Sequence, residues 1–316
     1  MLVRFFEQSD IFRFISLLLL IILLLGKSFF IDFVDANNDG ILYPYFTDIE
    51  THWKVSFSIF FVFLQSIFIF FISNRFKLIK NDSILSSTAY IILMGLFPRL
   101  AIYPEFYLMQ ILFSVLIFII FLFDREFYFE YLFWAGLGMG IISLINIQLT
   151  LLFIVIPIYL WLINRFGLRN LVIGGLGFLF PYSVFSMYSF VKYNQLIYSH
   201  IRLDDITIVP STSPSVLMAS LLVLIAIFSM IKVFSTMSRY MIQVRNYFIS
   251  ISIFSVILII LSFQNSPQYT IFAILPLSFL FARMIESVKS NIWKNIYFVS
   301  LFLFSLSQSL LSLNIL

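Results

Sequence analysis

The sequence predicts an all-α fold, a polytopic transmembrane helical bundle without a separate soluble domain. Three observations carry that reading. Of the 316 residues, 11% are charged and 62% are apolar, whereas a soluble domain carries roughly 25% charged residues to coat its surface. Apolar runs near the length needed to cross a bilayer recur from end to end. Basic residues fall between those runs alternately, many in one gap and few in the next. There is no Cys, which removes disulfides and thiolate metal sites from consideration.

The first apolar run follows a short charged start, "MLVRFFEQSD", and lacks a small-residue cleavage site, so it reads as a retained span rather than a removed signal peptide. Spans are expected at about 11–31, 53–73, 84–100, 106–123, 128–145, 147–163, 171–191, 215–234, 247–263, 268–282 and 296–314. The third is the weakest, because "YIILMGLF" stops at Pro98 and Arg99. If 84–100 is a re-entrant or buried half-helix, the count falls from about eleven to about ten.

Charge then orients the chain. With the amino terminus inside, the inner ends and loops hold Arg4, Arg13, Arg75, Lys77, Lys80, Arg125, Arg165, Arg169, Lys232, Arg239, Arg245, Arg283, Lys289 and Lys294. The outer side holds only Lys27, Lys54, Arg99, Lys192 and Arg202. Cytoplasmic loops attract Lys and Arg, and one missing span would scramble the pattern, so eleven spans are favoured with the carboxyl terminus outside. The whole chain, 1–316, is then one integral membrane domain with long outer loops at about 32–52 and 192–214. A bacterial inner membrane is the simplest location, with the amino terminus cytoplasmic and the carboxyl terminus periplasmic. Almost no charge falls mid-span, which counts against a proton-coupled carrier needing an intramembrane relay. The chain is too apolar to bind nucleic acid.

Chemistry-bearing residues collect in the outer loops. The first carries Asp32, Asp35, Asp39, Asp48, Glu50 and His52, and the second carries Lys192, Tyr193, His200, Arg202, Asp204 and Asp205. Within the first, "DANNDGIL" imitates the start of a calcium loop, with Asp35, Asn37, Asp39 and Gly40 in place. The closing bidentate acid is absent, since Phe46 stands there. An Asn-Gly turn explains the same residues. A zinc site from His52 and His200 lacks the usual ligand spacing. "AGLGMG" and "IGGLG" imitate phosphate-binding glycines, yet both sit inside spans, where Gly136-x-x-x-Gly140 reads as a close-packing surface. "SSTAY" before the third span reads as small packing residues. G-x-S-x-G and H-E-x-x-H are both missing.

This layout resembles the membrane module of the C-type glycosyltransferases, the GT-C fold. A first span leads to an acidic outer loop, short outer loops follow the third and fifth spans, and a longer one follows the seventh. The stretch "YLFWAGLGMGIISLINIQLTLLFIVIPIYLWLINRFGLRNLVIGGLGFLFPY" is similar to their middle region, and "ILPLSFLFARMIES" to a later span. The whole chain also resembles a family of Bacteroidetes polytopic inner-membrane proteins with a domain of unknown function. The marks of that likeness are "MLVRFF", "FPRLAIYPEFYLMQILF" and "ILPLSFLFAR".

The GT-C resemblance implies transfer of a sugar from a polyprenyl-phosphate donor on the outer face. Asp35 or Asp39 would act as catalytic base or as ligand to a divalent cation. Lys54, Arg99 and Arg202 would hold the donor phosphate, and His200, Asp204 and Asp205 would close over the site. Membrane lipids, and an envelope protein, are the expected partners. The large soluble carboxyl-terminal domain of many such enzymes is absent from this sequence, so a non-catalytic membrane subunit or a carrier of a lipid or small solute stands as the alternative.

Overall fold

A computed structural model describes residues 2–7, 10–26, 28, 50–79, 83–97, 101, 103–122, 128–145, 150, 153–193, 246–249 and 270–311. The described residues are helical, with no strand among them. The helices are α1 (Leu2–Phe6), α2 (Ile11–Leu25), α3 (Thr51–Arg75), α4 (Leu85–Met94), α5 (Pro104–Phe121), α6 (Tyr128–Ile145), α7 (Val155–Leu162), α8 (Leu168–Tyr193), α9 (Thr270–Ser287) and α10 (Asn291–Leu311). Two helical stretches, Thr51–Arg75 and Leu168–Val191, are long and apolar enough to cross a membrane; Ile11–Leu25, Leu85–Met94, Phe106–Phe121 and Phe129–Leu144 are shorter apolar helices. The expected spans at about 215–234 and 247–263 lie outside the described residues, apart from a helical turn at 246–249.

The helices are apolar on both faces. In α2, Leu17, Ile21 and Leu24 are buried one turn apart, while Phe12, Ile15, Leu19 and Leu23 on the other side are exposed. α8 likewise exposes Val172, Leu176, Leu179, Val184, Met187 and Val191. A helix hydrophobic all round needs an apolar surrounding on its outer face as well as its inner one.

Helix ends follow from local chemistry. Pro104 opens α5 at a position where a missing N–H costs nothing. α3 and α7 close alike. Leu78 N–H donates to the Ser73 carbonyl at 3.0 Å and Lys77 N–H to the Asn74 carbonyl at 3.3 Å, as Arg165 donates to Leu160 at 2.9 Å and Asn164 to Trp161 at 3.1 Å. Each closure puts a non-Gly residue in the left-handed region, Lys77 at φ 51° and Asn164 at φ 56°. Asn tolerates that conformation; Lys is held there at a cost.

One end of the bundle gathers many chain segments. Val3 N–H donates to Asn295 Oδ1 at 3.1 Å, Lys294 pairs with Glu7 at 3.3 Å, and the Ser83 hydroxyl donates to the Phe6 carbonyl at 3.1 Å. Asn246 Nδ2 reaches the Leu162 carbonyl, and Tyr247 OH the Phe121 carbonyl. Arg283 pairs with Glu286 at 2.6 Å and lies over the Phe248 ring. Arg169 lies 4.5 Å over the Phe129 ring. Among the described residues Arg13, Arg75, Lys77, Arg165, Arg169, Arg283, Lys289 and Lys294 belong to this basic end. Lys54, in the first turn of α3, belongs to the opposite end.

The third expected span is the main departure in length. α4 has ten residues, about 15 Å or half a bilayer's hydrocarbon thickness. Every residue of it is buried, because α2, α3, α9 and α10 pack around it. It stops at Gly95, where a Cβ would collide with the Ser305 hydroxyl and approach Leu24 Cδ1 to 2.9 Å. From Ser83 at the basic end the chain runs away through α4, and α5 runs back from Pro104 to Phe121.

α6 and α8 form the closest helix pair. Phe129 faces Arg169, Gly136 faces Gly174, Gly140 faces Phe178 and Ser143 faces Tyr182, so the two run parallel. A Cβ at Gly136 would strike the Gly174 carbonyl, at Gly140 the Phe178 carbonyl, and at Gly177 the Phe133 carbonyl. The expected packing role of Gly136 and Gly140 is borne out, with Gly177 as the third member.

Candidate functional site

The site is built on α3 and α5, which run parallel at a nearly constant offset. The Ser114 hydroxyl donates to Gln65 Oε1 at 3.1 Å. Further along, Phe68 and Phe71 both meet Phe118. The buried face of α3 carries Lys54, Ser58, Gln65 and Ser66. That of α5, with its N-cap, carries Tyr103, Tyr107, Gln110 and Ser114. Lys54, Ser58 and Gln65, and likewise Tyr103, Tyr107, Gln110 and Ser114, recur at three- and four-residue steps or their sums, which keeps each set on one helix face. The register that joins Gln65 to Ser114 sets Ser58 level with Tyr107 and Lys54 level with Tyr103. The result is a column of polar side chains running from the Lys54 end toward mid-bundle. Eleven residues separate Lys54 from Gln65, about 16 Å along the helix.

α4 and α9 wall the lower part of the column. The Ser87 hydroxyl donates to the Ser66 carbonyl at 2.6 Å. The Tyr90 hydroxyl donates to Gln110 Oε1 at 2.6 Å, and Gln110 Nε2 donates to the Ile271 carbonyl at 2.6 Å. One Gln side chain therefore ties three helices together. Below the column, Phe76 packs edge-on against Phe118, Phe121 and Tyr247 at centroid distances of 5.5, 5.1 and 5.4 Å. Those rings close the α3–α5 seam at the basic end.

Three atoms in the column find no partner among the described residues: Ser58 Oγ, Gln65 Nε2 and Tyr107 OH. Their side chains are almost wholly buried, at 0%, 1% and 1% exposure. Ser66 and Ser278 donate to the carbonyl three residues earlier at 2.7 and 2.6 Å, whereas Ser58 shares its lack of a partner with Ser73, Ser86 and Ser305 elsewhere in the bundle. A buried polar atom left unpartnered costs about 1–3 kcal/mol, so the column holds hydrogen-bonding capacity that the fold itself does not use.

Of the residues expected to form a site, Lys54 is the one described. It is buried, at 9% exposure, at the head of the column. Asp35, Asp39, Arg99, His200, Arg202, Asp204 and Asp205 lie outside the described residues, as does the whole "DANNDGIL" stretch. His52 lies exposed on the first turn of α3. Among the described residues no three His, Asp or Glu side chains gather as a metal site would require.

Gln65, Gln110, Tyr90, Tyr107 and Ser58 were not legible as a group. The signal was present within each helix, where a lone Gln in a Phe- and Ile-rich segment repeats at helical spacing with Ser or Tyr. Their pairing depends on an offset between α3 and α5 that no sequence pattern states. The small residues of "SSTAY" pack as expected, and Ser87 and Tyr90 add hydrogen bonds across helices. Against this geometry, no protein-family model, no curated protein and no solved structure matches the chain.

Proposed function

We propose that the chain is a multi-pass inner-membrane protein of eleven crossings that handles a polyprenyl-phosphate-linked sugar at its outer, periplasmic face. The basic end is cytoplasmic in this reading, in keeping with the preference of cytoplasmic segments for Lys and Arg. The chain's path supports the count. The end of α8 lies away from the basic end, residues 246–249 lie at it, and α9 returns to it from the far side. Exposed apolar faces on α2 and α8 suit lipid.

The observation that carries the functional reading is the buried Lys54 at the outer end of a polar column. A lipid phosphate arriving from the outer leaflet meets that ammonium first, and a phosphate takes charge-assisted hydrogen bonds from Lys and Arg. Lys54, Arg99 and Arg202 hold that phosphate. Asp35 or Asp39, directly after the first crossing, takes the proton of an acceptor hydroxyl or binds a divalent cation. His200, Asp204 and Asp205 cover the site from the second outer loop. The second reading, a carrier of a lipid or small solute, draws on the depth of the column, about half a bilayer.

The test is a deletion strain complemented with Asp35→Ala/Asp39→Ala, scored for surface glycan and for protein level. The reading expects glycan to be lost at unchanged protein level. A fully active double variant overturns the transferase and leaves the carrier. Because the chain lacks Cys, Asn38→Cys and Lys289→Cys variants provide single thiols; only the first should react with an impermeant maleimide added to spheroplasts.

A further inference from the structure

We propose that the foot of α10 binds the headgroup of an anionic phospholipid in the cytoplasmic leaflet, with Lys289 on its phosphate and Trp293 and Tyr297 beside it. The inference rests on the membrane-spanning reading above, with the basic end inside, and is independent of sugar transfer.

α10 has two unlike faces. Phe298, Leu301, Ser305 and Ser309 are buried, where α1, α2, α4 and α9 pack against the helix. On the other side Ile292, Ile296, Leu303 and Leu310 are exposed. They recur at four- and seven-residue steps, which makes one stripe along the helix. Trp293 and Tyr297 are exposed beside the first two, with ring centroids 6.2 Å apart. Lys289 is exposed two residues ahead of the helix. From the basic end the stripe therefore runs cation, then indole and phenol, then aliphatic side chains. A phospholipid has the same order from headgroup to acyl chain, and Trp and Tyr favour the level between the two.

Charge singles out Lys289. The carboxylates of α9, α10 and the first ten residues are Glu286, Glu7 and Asp10. They pair with Arg283, Lys294 and Arg13, and no carboxylate among the described residues pairs with Lys289. A phosphate takes charge-assisted hydrogen bonds from an ammonium, and the indole N–H is a further donor. A zwitterionic headgroup cancels its own phosphate charge, so the attraction to Lys289 favours a lipid with net negative charge. The other helix feet lack this combination. α3 ends in exposed Arg75, followed by exposed Lys77, without Trp or Tyr in its last turns. At the foot of α8, Arg169 lies over the Phe129 ring.

The experiment uses the full chain in lipid nanodiscs with Trp293 as its one tryptophan. Trp53→Phe, Trp134→Phe and Trp161→Phe, all at exposed positions, remove the others. Fluorescence is quenched with acyl-brominated phosphatidylglycerol or acyl-brominated phosphatidylcholine, at matched mole fractions in unlabelled phosphatidylcholine. The first should associate with Trp293 about fivefold more strongly than the second. Lys289→Gln should bring that ratio to one and Lys289→Arg should keep it, each at an unchanged melting temperature. Equal quenching by the two lipids before substitution, or a preference that persists in Lys289→Gln, overturns the inference while the stripe's contact with lipid stands. If neither lipid quenches, α10 does not face the bilayer, and the membrane reading of that helix falls together with the inference.

Discussion

The pair α6–α8 and the pair α3–α5 both run parallel, and they are joined by opposite means. α6 and α8 meet backbone to backbone, because Gly136, Gly140 and Gly177 present no side chain at the contact. The polar groups there are settled: the Tyr182 hydroxyl donates to Ser143, which donates to the Gly140 carbonyl, each at 2.9 Å. α3 and α5 meet through polar and aromatic side chains, and Ser58, Gln65 and Tyr107 keep unpartnered atoms. In an apolar surrounding, helices gain little from hydrophobic burial against each other, so close packing and hydrogen bonds hold them. The glycine seam uses everything it has to hold the bundle together. The column leaves some of its hydrogen-bonding capacity unused.

Substitutions at the glycine seam and at the column's unpartnered atoms should therefore move stability in opposite directions. The largest effect is expected from Gly177→Leu. Its Cβ meets the Phe133 carbonyl and lies 3.1 Å from the Leu137 nitrogen, and backbone cannot rotate away as a side chain can. A loss of about 3 kcal/mol or more follows, read as a lower melting temperature in nanodiscs or as failure to accumulate folded protein. Gln110→Leu comes next. It removes the acceptor of the buried Tyr90 hydroxyl and the link to α9, at about 1–3 kcal/mol. Adding Tyr90→Phe should recover part of that loss, and no recovery would show that Gln110 acts by packing alone. The smallest effect, of opposite sign, is expected from Ser58→Ala. Removing a hydroxyl that bonds to nothing should leave stability unchanged or raise it by about 1 kcal/mol. A clear loss on that substitution would mean that the column is as structural as the glycine seam.

Most of the helices were legible in the sequence, because a run of apolar residues between charged gaps reports a helix directly. α3, α5, α6 and α8 fall within a few residues of their expected positions. The glycine seam was legible too, since Gly136-x-x-x-Gly140 marks one helix face without knowledge of its partner. α4 was only half legible. Its apolar run predicts a span, but its ten-residue length follows from Gly95 fitting between Leu24 and Ser305, a contact between residues far apart in the chain. The candidate site was least legible. The residues that charge picks out lie at the outer end, and of these Lys54 alone is described, while the column consists mostly of neutral side chains inside helices. Ser, Tyr and Gln look unremarkable singly; they come together only when α3 and α5 align.

The hydrogen bond from Val3 to Asn295 joins residues 292 apart in sequence. Translation at about 5–20 residues per second leaves α1 waiting roughly 15–60 s for α10 to emerge. During that interval the carboxylate of Glu7 lacks Lys294, and Phe6 lacks the ring of Phe298. The docking of α1 is thus the last of these contacts to form. α1 can dock only on a chain that has reached α10, and one that stalls earlier leaves Phe6 without its ring contact.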